Sequence, residues 1–439
     1  MGINFNRWKG TSYQPEIDAS VFQAIACAMD IFQLEGPLLP NLREIFCIDT
    51  EGHTLWNIYP FLPSKLVCFT LRVHRPPDLA TMTILSALKV KSPHIQHFGV
   101  VDGWFYKDQL APQVSSSLCG LLHLCTVECA GVTLTPKAIL HLAFLPNLRE
   151  VDIRVADDQI DIKSSAYIPF PALRCLSLNC ESMATAIEFV KTMIHSAPLT
   201  SFTVRVENPP SSAQLGRMFS LLSAQSCFVH LTDIHFCHPE FIDYEDDFLP
   251  LLDAHDFEPL LKFTHMESIY IETQCSIANF DDELLKAMAT SWPNLRHLCL
   301  TNGQGVSFPS RCTLRGILHL GQHCPNLMSL RIVFQASAEI CWNGRPGGGV
   351  VNEYMEALEV VESPIADPRA VAYFLSDVFP KLTSIDAWDN FNPEDPTEVE
   401  NRKRWQEAIQ LYDIFVAIRN EERQWAVSAG CNEREIPPT

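Results

Sequence analysis

An α/β solenoid, built by stacking short strand–loop–helix units, is the fold this sequence predicts. Three observations point to it: one phrase recurs along the chain, each copy continues with the same apolar spacing, and the copies return at a steady period. The phrase is Pro40-Asn41-Leu42-Arg43, repeated as Pro146-Asn147-Leu148-Arg149, Pro293-Asn294-Leu295-Arg296 and Pro325-Asn326-Leu327-Met328. Looser copies are Pro171-Ala172-Leu173-Arg174 and Pro380-Lys381-Leu382-Thr383.

Each copy runs on as apolar-x-x-apolar-x-apolar, as in Leu148, Val151 and Ile153, or Leu295, Leu298 and Leu300. In a short strand the alternation puts the last two on one face and the residues between them on the other. The first apolar position falls at 42, 66, 95, 121, 148, 173, 199, 231, 266, 295, 327, 358 and 382. The steps between them, 24 to 35 residues, match the length of leucine-rich repeats and their longer members. A doubly wound domain also alternates strand and helix. However, its strands carry no fixed phrase, and no glycine-rich phosphate loop follows an early strand here.

Taken in order, residues 1–36 precede the first repeat and hold one expected helix, Ser20 to Leu34, as an N-terminal helical cap. The array spans 37–390 as a horseshoe of alternating short parallel strands and helices. Thr135 and Pro136 form an N-cap and first-turn pair ahead of Ala138–Phe144, and Asp367 and Pro368 do the same ahead of Arg369–Phe379. Met183–His195, Leu215–Ala224, Asp282–Thr290 and Thr313–His323 show apolar spacings of three and four. Insertions at Val206–Ser212, Cys237–Pro250, Thr301–Arg311 and Gln335–Glu353 leave as loops, expected on one rim. In 391–439, Thr397-Glu398-Val399-Glu400 reads as a capping box. It opens a helix to about Ala426, with Trp405, Ile409, Tyr412, Phe415 and Ile418 along one side, and a mobile tail follows. Terminal repeats need a cover, so this helix is expected to be a cap.

Composition narrows the function. With 52 acidic and 32 basic residues the formal net charge is −20, which disfavours a phosphate backbone and so a nucleic-acid partner. No apolar run reaches membrane-spanning length; the nearest, Leu118 to Leu134, holds His123 and Glu128. The 16 cysteines form no CxxC pair, and the N-terminus lacks a signal-peptide pattern, so reduced thiols in the cytoplasm or nucleus are expected.

Chemical motifs are weak. His319 and His323 lie four apart with Cys312 and Cys324 nearby, a zinc-like spacing without the HExxH glutamate. In His235-Phe236-Cys237-His238 the residues alternate faces and cannot all reach one ion. Gly344-Arg345-Pro346-Gly347-Gly348-Gly349 is followed by no Lys-Ser or Lys-Thr pair and reads as an inter-repeat loop. No GxSxG is present. Cys175, Cys275 and Cys299 read as small packing residues. The expectation is no enzyme, no catalytic or metal-binding residues and no cofactor.

The outward strand positions remain. By parity they include Asp152, Arg154, Thr203, Arg205, Asp233, His235, Tyr270, Glu272, His297, Arg331, Asp386 and Trp388. In an α/β solenoid these line the concave sheet, the usual binding surface, and its mixture of charge and aromatic rings suits a protein target.

The Pro-Asn-Leu-Arg phrases, the stretch Leu284-Leu285-Lys286-Ala287-Met288-Ala289-Thr290-Ser291-Trp292-Pro293-Asn294-Leu295 and the closing helix with Trp405 and Arg419-Asn420-Glu421-Glu422-Arg423 resemble the basidiomycete (fungal) F-box proteins with a leucine-rich-repeat body. The resemblance runs from Leu39 onward. It implies a body that recruits substrates to a ubiquitin ligase, with the ligase linker subunit and cullin as partners. The leucine-proline-x-glutamate-leucine stretch of an F-box is not found in 1–36, and Asn6-Arg7-Trp8 resembles the segment that follows it. The chain therefore resembles a family member that has lost the F-box or whose N-terminus is missing, with a stand-alone repeat scaffold as the alternative role. The asparagine expected eight residues after the first leucine stands only at Asn390, with Cys129 as a cysteine equivalent.

Overall fold

The computed structural model describes residues 2–4, 24–25, 27–28, 31, 39–49, 56–74, 76–101, 107–157, 169–194, 197–225, 228–238, 250–273, 275–300, 310–336, 344–389 and 392–432. The array divides into two compact units, one of residues 1–208 and 224–230 and one of residues 209–223 and 231–439.

In the first unit the strands are β1 (Gly2–Asn4), β2 (Glu44–Asp49), β3 (Cys68–Val73), β4 (His97–Val101), β5 (Thr126–Thr133), β6 (Glu150–Val155), β7 (Cys175–Cys180) and β8 (Ser201–Val206). Each pairs in parallel with the next in sequence. Helices α1 (Leu79–Lys91), α2 (Lys107–Leu118), α3 (Pro136–Ala143) and α4 (Met183–Met193) fall between strands. In the second unit the strands are β9 (Asp233–Cys237), β10 (Ser268–Glu272), β11 (His297–Cys299), β12 (Ser329–Arg331), β13 (Ala357–Val361) and β14 (Ser384–Ala387), again parallel in chain order. Its helices are α5 (Ser212–Ala224, whose last residue belongs to the first unit), α6 (Ala254–Phe257), α7 (Asp282–Ser291), α8 (Leu314–His323), α9 (Pro368–Val378) and α10 (Pro396–Asn432). Each unit is an open, all-parallel α/β repeat of solenoid type, in which a parallel pair needs the crossover that the helix supplies.

The repeated phrase dictates the core. Its first apolar residue is buried in every copy, and two copies stand elsewhere than the periodicity predicts. Val127, not Leu124, pairs with Phe98, and Leu358 pairs with Leu330. The first positions are therefore Leu124 and Met355 rather than 121 and 358, and both are fully buried. A spacing of three apolar residues reads as the phrase in either register, so the sequence alone was ambiguous there. The shift also removes Cys129 from the asparagine-equivalent position: it pairs with Ile153 inside the sheet core. Asn390 lies outside the described residues.

The helix starts follow side-chain chemistry. Thr135 caps α3 and Asp367 caps α9, each ahead of a first-turn proline, and Ser182, Asp281 and Thr313 cap α4, α7 and α8. Consecutive repeats are tied in the same way: the Asp282 carboxylate in the first turn of α7 accepts from Thr313 N at 2.7 Å and Gly316 N at 3.0 Å of α8. Aromatic rings fill the second unit, with Phe219 edge-on to Phe236 and Phe257, and Phe257 edge-on to Phe280 at 4.9 Å. Helices α1 and α2 were not foreseen; α2 carries Pro112 within it, which obscures its helical pattern.

Helix α10 begins at Pro396, where the Asp395 carboxylate accepts from Thr397 N, one residue before the expected capping box, and it extends to Asn432. Its own Trp405 and Tyr412 are buried: the Trp405 indole donates to Ser363 O at 2.8 Å, and the Tyr412 hydroxyl donates to Phe379 O at 2.8 Å. Ile418 on the same helix is exposed. Asp377 of α9, fully buried, accepts from Arg345, from Gly347 N and from Arg419 of α10. The glycine-rich segment is thus held by an ion pair rather than left as a free loop; a Cβ on Gly347 would stand 2.9 Å from Val350 O.

The expected helix at 20–34 and the insertions at 237–250 and 301–311 lie largely outside the described residues, as do 337–343 of the insertion at 335–353. Of residues 1–36, Gly2–Asn4 form an edge strand beside β2. Among the described residues no helix is long and apolar enough to cross a membrane.

Candidate functional site

Parallel pairing in constant register, up to a shift after Glu359 in the last pair, stacks equivalent residues of successive repeats into rows on the sheet face opposite the core. In the second unit one row is Asp233, Ser268, His297, Ser329, Ala357 and Ser384, and the next is His235, Tyr270, Cys299, Arg331, Glu359 and Asp386. Cys237 and Glu272 are partners in a third. The core-facing neighbours Ile234, Ile269, Leu298, Leu330 and Leu358 are buried, whereas most of the row residues are partly exposed.

These rows are cross-linked. His235 Nε2 lies 2.7 Å from Glu272 Oε2; Glu272 Oε1 accepts from Arg331 Nη1 at 3.2 Å; and Arg331 Nε donates to Glu359. The His235 side chain is 30% exposed, Glu272 24%, Arg331 29% and Glu359 38%, so the run His235–Glu272–Arg331–Glu359 is half-screened from solvent across five strands. Burial disfavours charge on His235, but hydrogen bonds to Cys237 and Glu272 outweigh it and raise its pKa to about 9. The His235 hydrogen bond, more than the burial opposing it, holds the Glu272 carboxyl below the usual carboxylate range. Tyr270 lies between two histidine rings, 5.4 Å from His235 and 6.4 Å from His297. His297 Nδ1 meets Ser329 Oγ at 2.8 Å. Asp233 accepts from the Thr232 hydroxyl, and Asp386 is exposed, accepting from Ser384.

In the first unit Asp152, Ser177 and Thr203 form one row and Arg154, Asn179 and Arg205 the next. Asn179 donates to Asp152 at 2.7 Å, while Arg205 donates to Ser177 at 2.7 Å and lies 3.7 Å from Asp152. Burial raises the Asp152 pKa against the pull of Arg205.

Two expected surface residues are not available to a partner. Arg154 is 4% exposed and bound to Glu207 at 2.7 Å. Trp388 is 7% exposed, and its indole donates to Ser363 O. A left-handed backbone at Trp388 (φ 55°) breaks the strand alternation on which parity rests and turns the ring inward.

Glu359, Cys237, Cys299 and Asn179 also belong to these faces but were missed. The Met355-x-x-Leu358-x-Val360 phrase would have exposed Glu359, had its register been read three residues earlier. The members of His235-Phe236-Cys237-His238 alternate faces, but two of them, 235 and 237, share a face by parity. Among the described residues, His235, Cys237 and Glu272 place their donor atoms within 4.8 Å of one another. The His319 and His323 rings stack at 6.2 Å, whereas nearby Cys324 is buried with its sulfur on the Ala289 and Trp292 carbonyls.

The fold defines an α/β repeat protein of the solenoid type. No protein-family model matches the chain, and no curated protein matches it.

Proposed function

We propose that this chain is a non-enzymatic recognition protein of the leucine-rich-repeat kind that binds another protein through the open sheet face of its second unit. The observation that carries the reading is the ordered run His235–Glu272–Arg331–Glu359 with Tyr270 among it. Half-buried side chains already held by their neighbours lose little freedom when a partner arrives, and Tyr and Arg are frequent anchors. The resemblance noted above supports a narrower reading, a substrate-recruiting body of an F-box-type ubiquitin-ligase adaptor acting in the cytoplasm or nucleus.

A pull-down from fungal lysate, read by mass spectrometry, tests both layers. Capture of the ligase linker subunit and cullin supports the adaptor reading. A different protein, retained by the native chain and lost by the Tyr270→Ala/Arg331→Ala double variant, supports a stand-alone scaffold. A bound set unchanged in that variant, with its melting transition intact, removes the sheet face as the recognition surface.

A further inference from the structure

We propose that His235, Cys237 and Glu272 form a binding site for a zinc-like divalent cation on the open face of the second unit. The geometry follows from the strand register. His235 and Cys237 are two apart on β9 and so project to the same side, and Glu272 on β10 is the register partner of Cys237. An imidazole nitrogen, a thiol sulfur and a carboxylate oxygen thus lie within 4.8 Å of one another. In a tetrahedral zinc site, with bonds of roughly 2.0–2.3 Å, neighbouring donors stand roughly 3.5 Å apart, so side-chain rotation of about an ångström closes the set.

The donor chemistry selects the cation. Nitrogen and sulfur ligands favour zinc and its neighbours over calcium and magnesium, which take oxygen. Thiolate and carboxylate together carry two negative charges, matching a dication. Arg331 stands 3.2 Å from the other oxygen of Glu272, but it is paired with Glu359, so it brings no unbalanced positive charge. The ion would replace the proton shared between His235 Nε2 and Glu272 Oε2. Three protein ligands, two of them with side chains about a quarter exposed (His235 30%, Glu272 24%), leave a fourth position on the solvent side. That is the arrangement of zinc sites that accept water or an incoming group.

The test uses the full chain, stripped of metal and titrated with Co²⁺ as the spectroscopic probe, then with Zn²⁺. A single equivalent should produce a thiolate-to-cobalt charge-transfer band with intense four-coordinate visible bands, and Zn²⁺ should abolish both. Cys237→Ser should lose the charge-transfer band, His235→Gln and Glu272→Gln should weaken binding, and Cys125→Ser in the first unit should leave it unchanged. A missing band, or one that survives Cys237→Ser, overturns the proposal. Should the Cys237 variant fail to fold, X-ray absorption of the zinc-loaded native chain decides: one sulfur with nitrogen and oxygen neighbours supports the site, and a sulfur-free or sulfur-only shell rejects it.

Discussion

At the scale of the residue, burial sets the chemistry of the thiols. Cys180, Cys312 and Cys324 are pushed up to about 12 and Cys275 to about 11, in each case chiefly by loss of solvent around the thiolate. Since the thiolate is the reactive form, these four should resist alkylation at neutral pH, while exposed Cys27 reacts at once. Pulsed alkylation with peptide mapping checks this, and labelling of Cys312 or Cys324 at the rate of Cys27 in the folded chain would contradict it. Parity served at this scale too: His235, Tyr270, Glu272 and Arg331 are where alternation places them. It failed at Trp388, where a positive φ reverses the side of the chain, and nothing in the local sequence announces that reversal.

Successive repeats are joined, at the scale of the element, through the helix starts. Gly316 shows how tight the join between α7 and α8 is. A Cβ there would stand 2.6 Å from Asp282 Oδ1 and 2.7 Å from Leu285 Cδ1. Glycine inside a helix ordinarily costs about 1 kcal/mol relative to alanine. Here overpacking, worth about 1–3 kcal/mol, opposes that gain, and the Asp282 contact to Gly316 N is disturbed as well. Gly316→Ala is therefore expected to destabilise the chain by about 1 kcal/mol in urea unfolding; a stabilised variant would show that Asp282 moves aside freely. Helices such as α3 and α9 were readable because a capping side chain and a proline mark their starts, whereas α2, with Pro112 in its interior, was not.

On the scale of the whole molecule, a repeat array keeps its contacts between neighbours, so damage at one end should stay near that end. In the second unit Trp405 of α10 packs against Phe334 with rings nearly perpendicular and donates to Ser363 O. Trp405→Ala removes a side chain only 1% exposed and is expected to cost about 3–5 kcal/mol. Hydrogen exchange should then show protection lost most on β13 and β14 and least on β9. Uniform loss across the unit would mean that it unfolds as one cooperative block.

The phrase Pro-Asn-Leu-Arg, its apolar continuation and its period determined the repeat architecture by themselves, because each unit must bury the same positions and so must repeat them. They also placed most of the polar face, since a strand's two sides are settled by counting. Only the tertiary structure decided which of two apolar registers stacks at Leu124 and Met355, because either satisfies the spacing and only the neighbouring strand selects between them. It alone brought Glu272 to His235 and Cys237, since that encounter depends on two strands distant in sequence, with His235 and Glu272 37 residues apart, lying side by side in register.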